Sequence, residues 1–171
     1  NLIAKSILIQ KDNNELNIKI DGKLVDMSHL ANDLINEKKI NDMDIKFDIV
    51  SNEIILNKKF SISGNLNGSY KNKIFSSLAK GMIVLGSNTL LDAGQLKIFV
   101  KDGNYLITGK GSLNSGETNI KITSSNGLPN VTFESQEGGK LLSALGFTNK
   151  VKSGDLRLKV NFLDKNLLKY R

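Results

Sequence analysis

The side chains in this sequence that could do chemistry are few, and their spacing does not combine them. There is one histidine, His29, and no cysteine among 171 residues. That leaves neither a thiolate, nor a second imidazole, nor the mixed His/Cys set that a zinc site or a nucleophile and base pair would draw on. Carboxylates are scattered among lysines along alternating segments, with no pairing that would face two of them across a cleft as glycoside hydrolysis requires. Two glycine-rich strings, Gly109-Lys110-Gly111-Ser112 and Gly138-Gly139-Lys140, hint at a phosphate loop. Neither has the full Walker spacing followed by Ser or Thr, and both read as turns. Catalysis has to be argued from a site, and none is legible, so the expectation is a non-enzymatic protein with no catalytic residue, no metal and no cofactor.

The elements that would position any site are mostly strands. Ile18 and Ile20 alternate with polar neighbours, as do Met43, Ile45, Phe47 and Ile49, and again Phe60, Ile62, Gly64 and Leu66. Period-two alternation marks half-buried strands. Turn pairs punctuate them at hairpin spacing: Asp21-Gly22, Ser51-Asn52, Asn57-Lys58-Lys59, Asn67-Gly68, Lys71-Asn72-Lys73, Asp102-Gly103, Ser115-Gly116 and Asn126-Gly127. Regular hairpin spacing without intervening helices predicts a mainly β, antiparallel meander. Residues 87–94, SNTLLDAG, show no clear period and read as a loop around Asp92. Two short helices interrupt the pattern. One spans residues 138–147; the other starts near Ser28, with Leu30, Ala31, Leu34 and Ile35 on one stripe.

Composition fits one folded domain covering residues 1–171, with 39% hydrophobic residues, 15 glycines and a single proline. The net charge is +7, and Arg157 and Arg171 are its only arginines. The lysines alternate with apolar residues, as in Lys97-Ile98-Phe99-Val100-Lys101, which spreads them over a wet face. With no basic cluster interleaved with aromatics, nucleic acid is not an expected partner. Attraction to anionic lipid headgroups is generic for such a charge. The absence of an initial methionine, a secretory signal or an apolar run of membrane-spanning length suggests a segment excised from a longer protein. A cysteine-free chain is compatible with an oxidising compartment such as a periplasm.

The most distinctive stretch is residues 135–162, SQEGGKLLSALGFTNKVKSGDLRLKVNF. Leu141, Leu142, Ala144 and Leu145 form a helical stripe, Ser135 is placed to cap its start, and Gly146 to stop it. From Leu156 the period becomes two, with Leu158, Val160 and Phe162 on the same face. The order of acidic residue, Gly, apolar helix ending Leu-Gly, short loop and Gly-x-Leu-x-Leu falls on Glu137, Gly139, Leu141, Leu142, Leu145, Gly146, Gly154, Leu156 and Leu158. This pattern resembles the recurring unit of the AsmA-like envelope proteins, and within them the YhdP-type branch. Glu137 stands where that family usually has Asp, and Ser153 where a second glycine is common. A vaguer echo is IDGKLVDMSHLANDL.

The resemblance implies the periplasmic portion of an inner-membrane-anchored protein, with membrane attachment through other parts of the full-length chain. Its strongly curved, unclosed sheet would be a hydrophobic groove for phospholipid or another acylated lipid moving between inner and outer membranes in envelope biogenesis. Alternating strands give such a groove a simple basis, since they present one continuous apolar face. The candidate lining residues are Ile45, Phe47, Ile49, Phe60, Ile62, Leu96, Ile98, Val100, Ile120, Ile122, Val131 and Phe133. The alternative is a closed sandwich or barrel with a dry core, serving as a structural or assembly module of the envelope. The 137–158 unit is expected to be a structural signature, with Gly146 and Gly154 as pivots and Leu142 and Leu145 seating the helix over one end of the sheet.

Overall fold

A computed structural model of the chain describes residues 1–29, 44–57, 60–85, 87–125 and 128–161. The strands are β1 (Leu2–Asp12), β2 (Glu15–Asp26), β3 (Asp44–Asn57), β4 (Phe60–Lys71), β5 (Ile74–Leu85), β6 (Asn88–Lys101), β7 (Asn104–Leu113), β8 (Gly116–Ser125), β9 (Leu128–Ser135) and β10 (Leu156–Asn161). Together they form a single ten-stranded sheet in sequence order, which does not close on itself. Every pairing is antiparallel except that of β2 with β3, which is parallel. The expected first helix falls in the connection between those two strands. Only its start, Ser28 and His29, is described; Leu30, Ala31, Leu34 and Ile35 lie outside the described residues, as do Met43, Lys58, Lys59, Asn126, Gly127 and Phe162.

The hairpins obey local turn chemistry. Asn72 and Lys73, Asp102 and Gly103, and Asn114 and Ser115 all have positive φ, between 48° and 72°. Positive φ at both central residues defines the type I′ turn, whose twist matches that of the strands it joins.

Several expected turns sit instead in the middle of strands, and the reason is a row of small residues crossing the sheet. Register connects Ala4 to Gly22, Gly22 to Ser51, Ser51 to Gly64, Gly64 to Gly81, Gly81 to Gly94, Gly94 to Gly111, Gly111 to Thr118 and Thr118 to Ser135. Irregularities follow this row at Ala4/Ser6, Ser51/Ile54 and Gly81/Ile83. Glycines and bulges in a strand mark a bend or a close backbone approach. Here Gly64 and Gly81 have φ of 145° and 139°, and a Cβ on either would fall inside 3.0 Å of the facing backbone carbonyl oxygen, Lys80 O or Ser63 O. Asp21-Gly22, Ser51-Asn52 and Gly109-Lys110-Gly111-Ser112 are therefore parts of this fold line, and Asn67-Gly68 lies within β4 beside it. Residues 87–94 are likewise not a loop. From Asn88 they belong to β6, and a register shift opposite Ile83 buries both Leu90 and Leu91.

The core lies on one face. Ile54, Ile62, Ile83 and Leu91 on one side of the fold line are fully buried, as are Leu66, Ala79 and Leu96 on the other, all at 0–1% exposure. Among the described residues only one short helix, α1 (Gly138–Ala144), packs on this sheet, so the strands themselves must curl to cover their apolar side. Area burial of this kind is the main stabilising term in folding.

Candidate functional site

The concave face is the feature most able to bind anything, and it is built from register. One row runs Ile7, Ile20, Ile49, Leu66, Ala79, Leu96, Gly109, Ile120, Phe133, Leu158, from edge to edge of the sheet. A second row, two residues along each strand, runs Ile9, Ile18, Phe47, Gly68, Ser77, Ile98, Ile107, Ile122, Val131, Val160. A third joins Ile45, Tyr70, Phe75, Val100 and Tyr105.

All the candidate lining residues fall on this face. Their accessibility differs sharply. Phe47, Ile49, Ile62, Leu96, Val100, Ile120 and Phe133 are buried, while Ile45, Phe60, Ile98, Ile122 and Val131 are half-buried. The face is thus dry along the first row from Ile49 to Phe133, half-buried over much of the second, and exposed at the β1 edge, where Ile7 and Ile9 are 48% and 62% exposed. Sequence reasoning left Ile7, Ile9, Ile18, Ile20, Leu66, Phe75, Ile107 and Leu158 out of the lining. The same alternation that marked their neighbours would have included them.

Phe47 stacks on Phe75, with ring centroids 5.7 Å apart and an interplanar angle of 16°. The intervening Gly68 has no side chain, and a Cβ there would meet the Phe47 ring. Beside this stack Ser77 is 6% exposed and its hydroxyl has no hydrogen-bond partner. An unsatisfied buried hydroxyl costs roughly 1–3 kcal/mol, and Ile98 and Gly68, its partners in register, offer no side-chain acceptor.

One end of the face is capped by the 137–158 unit. Glu137 and Gly154 form a parallel bridge, and Gly138 N–H donates to Gly154 O at 2.7 Å. Gly146 ends α1 at φ 77°, with its N–H on Ser143 O and the Phe147 N–H on Leu142 O, both at 2.9 Å. That pair of bonds is a Schellman motif, which needs a left-handed residue after the helix. Gly154 also has positive φ, 114°. Leu141 is the fully buried anchor, whereas Leu142 and Leu145, the expected seats, are only half-buried. Ser135 does not cap the helix. It ends β9, its Oγ accepts the Glu137 N–H at 3.0 Å and shares a 2.7 Å hydrogen bond with Thr118 Oγ1.

Lys11 is the charge that register places on the concave face, at the β1 end of the Leu16 and Ile45 row. Lys46 Nζ lies 2.9 Å from Glu15 and Lys71 Nζ 2.8 Å from Asp44. The Lys46 hydrogen bond holds the Glu15 carboxyl below its ordinary value, and Asp44 raises the Lys71 ammonium. Burial pushes the Tyr105 phenol up. His29 is exposed. Among the described residues no cluster of His, Cys, Asp or Glu could hold a metal ion, and no helix is long and apolar enough to cross a membrane. No protein-family model, curated protein or solved structure matches the chain.

Proposed function

We propose that this chain is a non-enzymatic lipid-binding and transfer module of the AsmA-like, YhdP-type kind, carrying phospholipid or another acylated lipid across the periplasm in an apolar β-groove. The observation that supports the reading is the continuous apolar face, which crosses all ten strands and reaches an unpaired edge with Ile7 and Ile9 half-exposed or more. Acyl chains need no directional partner; they need apolar area that water would otherwise wet. The half-buried part of the second row, Ile18, Ile98, Ile107, Ile122 and Val131, and the exposed Ile7 and Ile9 at the β1 edge provide it.

The scaffold reading has its own support in the sealed core, where Ile54, Ile62, Ile83 and Leu91 are at 0% exposure. Native mass spectrometry and lipid extraction of detergent-free protein separate the two. Co-purifying phospholipid, lost when Ile107 and Ile122 are replaced by Asn in a variant that still folds, supports the groove. Consistent absence of lipid favours a scaffold with a dry core.

A further inference from the structure

The opposite, convex face carries a charge pattern that the cargo reading does not use. On the β1–β4 half three lysines are ion-paired, Lys5 with Asp21, Lys46 with Glu15 and Lys71 with Asp44, while Lys19 stands exposed opposite Asp48 in register. On the β5–β8 half, among the described residues, no lysine is ion-paired. Register places Lys80, Gln95, Lys110 and Asn119 in one row and Leu78, Lys97, Thr108 and Lys121 in the next. Lysines and neutral residues therefore alternate like a checkerboard, with lysines in the same row about 10 Å apart across two strand spacings. All four lysines are exposed, and among the described residues none has an ion-pair partner.

A further row on this convex face, Ser76, Phe99, Leu106 and Thr123, adds an apolar element. Phe99 pairs directly with Leu106, and the two are 41% and 39% exposed. They line a hollow of about 560 Å³ together with Leu78, Lys97 and Thr108. Lys80, Gln95 and Lys110 line a neighbouring hollow of about 500 Å³. The nearby acids pair with none of these lysines: Glu117, at the rim of the second hollow, accepts from Asn119 Nδ2 at 3.4 Å, Asp92 accepts the Asn114 N–H, and Glu134 pairs with Arg157.

We propose that the convex face of β5–β8 docks on an anionic phospholipid bilayer surface, with Lys80, Lys97, Lys110 and Lys121 over the headgroups and Phe99 and Leu106 at the interface. An exposed lattice of lysines on flexible stems matches a two-dimensional array of phosphates. Long lysine stems let the ammonium reach out while the apolar pair approaches the headgroup boundary. Nucleic acid fits less well, because this face has no arginine to fork onto phosphates or bases and its single exposed aromatic offers no stacking series. The inference stands independently of what the concave face carries.

The test is co-sedimentation of the chain with phosphatidylcholine vesicles, with and without phosphatidylglycerol. Binding is expected only with the anionic lipid and should weaken with added salt. Each lysine replaced by Gln should lower partitioning about fivefold, and the quadruple variant K80Q/K97Q/K110Q/K121Q several-hundred-fold. The control K5Q/K46Q/K71Q changes net charge by three but touches only paired lysines, and should stay within a few fold of the parent. Circular dichroism melts confirm folding, and the single variants Lys97→Gln and Lys110→Gln carry the test if the quadruple variant fails to fold. Equal binding to neutral vesicles, equal loss in the control, or tighter binding to a DNA oligonucleotide than to anionic vesicles overturns the proposal. Lipid extraction of the quadruple variant reads the groove separately, because its concave face is unchanged.

Discussion

Replacing Gly81 with alanine tests whether the fold line is a backbone requirement or a coincidence of composition. Gly81 has φ 139°, and an added Cβ would fall inside 3.0 Å of Ser63 O, with Ser63 C and the Gly64 Cα close behind. A non-glycine residue held in such a region costs roughly 1–3 kcal/mol. Relieving the overlap requires a backbone shift in a packed sheet, at roughly 1–3 kcal/mol more. The expected loss is therefore about 4 kcal/mol, or about 8–16 °C in melting temperature for a chain of this length. Gly146 is the internal control. Its φ is also positive, 77°, but nothing lies within 4 Å of its Cβ position, so Gly146→Ala should cost only about 1–2 kcal/mol. Urea denaturation followed by circular dichroism gives both numbers. If Gly81→Ala costs no more than Gly146→Ala, the strands do not approach closely at that row and the account of the bend is wrong.

The cap of the sheet should rest on Leu141, which is fully buried: Leu141→Ala is expected to cost about 2–5 kcal/mol, and the half-buried Leu142→Ala clearly less, as thermal melts will show. Gly139→Ala should loosen the same cap, since its Cβ would overlap the Val151 carbonyl; a melting temperature equal to the parent's would contradict this docking of α1 on the following loop. Phe47→Asp places a carboxylate against the Phe75 ring, and is expected to unfold the chain rather than merely weaken lipid retention, which circular dichroism separates from lipid extraction. Glu15 has a folded pKa below its ordinary value near 4.5 because of Lys46, so its contribution is present above that value and is lost as pH falls through the lower folded one. Glu15→Gln should accordingly reduce the loss of stability on acidification, measured as the urea midpoint at neutral and acidic pH.

Strand existence and the buried side were legible because side-chain alternation is a local property. Phe47 and Ile49, or Ile120 and Ile122, declare their common face within a few residues. The type I′ turns at Asn72-Lys73 and Asp102-Gly103 were legible for the same reason. What misled was the double meaning of glycine. Gly22 and Gly111 carry turn composition, yet their neighbours across the ladder, Ala4 and Gly94, show that they belong to a bend. Only register reveals that, and register is not local. Leu90 and Leu91 were obscured by a shift that breaks alternation inside β6. The parallel β2 and β3 pair was hidden because antiparallel order follows from short hairpins, and the chain between these strands is not one. At the candidate site, polarity and face were readable, but the gradient from the dry first row to the exposed β1 edge depends on curvature, which no single strand encodes.

The sequential order of the strands has a kinetic consequence. Each hairpin can close its own short turn within microseconds, so the sheet can grow strand by strand as chain becomes available, without waiting for a distant segment. The parallel joining of β2 to β3 is the exception, since it must first close the whole intervening connection. It is expected to form late, leaving the β1 and β2 hairpin to dock onto a sheet already built from β3 onward. Until it docks, the long β3 edge stands unpaired, with Phe47, Ile49 and Ile54 beside it, and that interval is when the nascent chain is most exposed to joining a copy of itself.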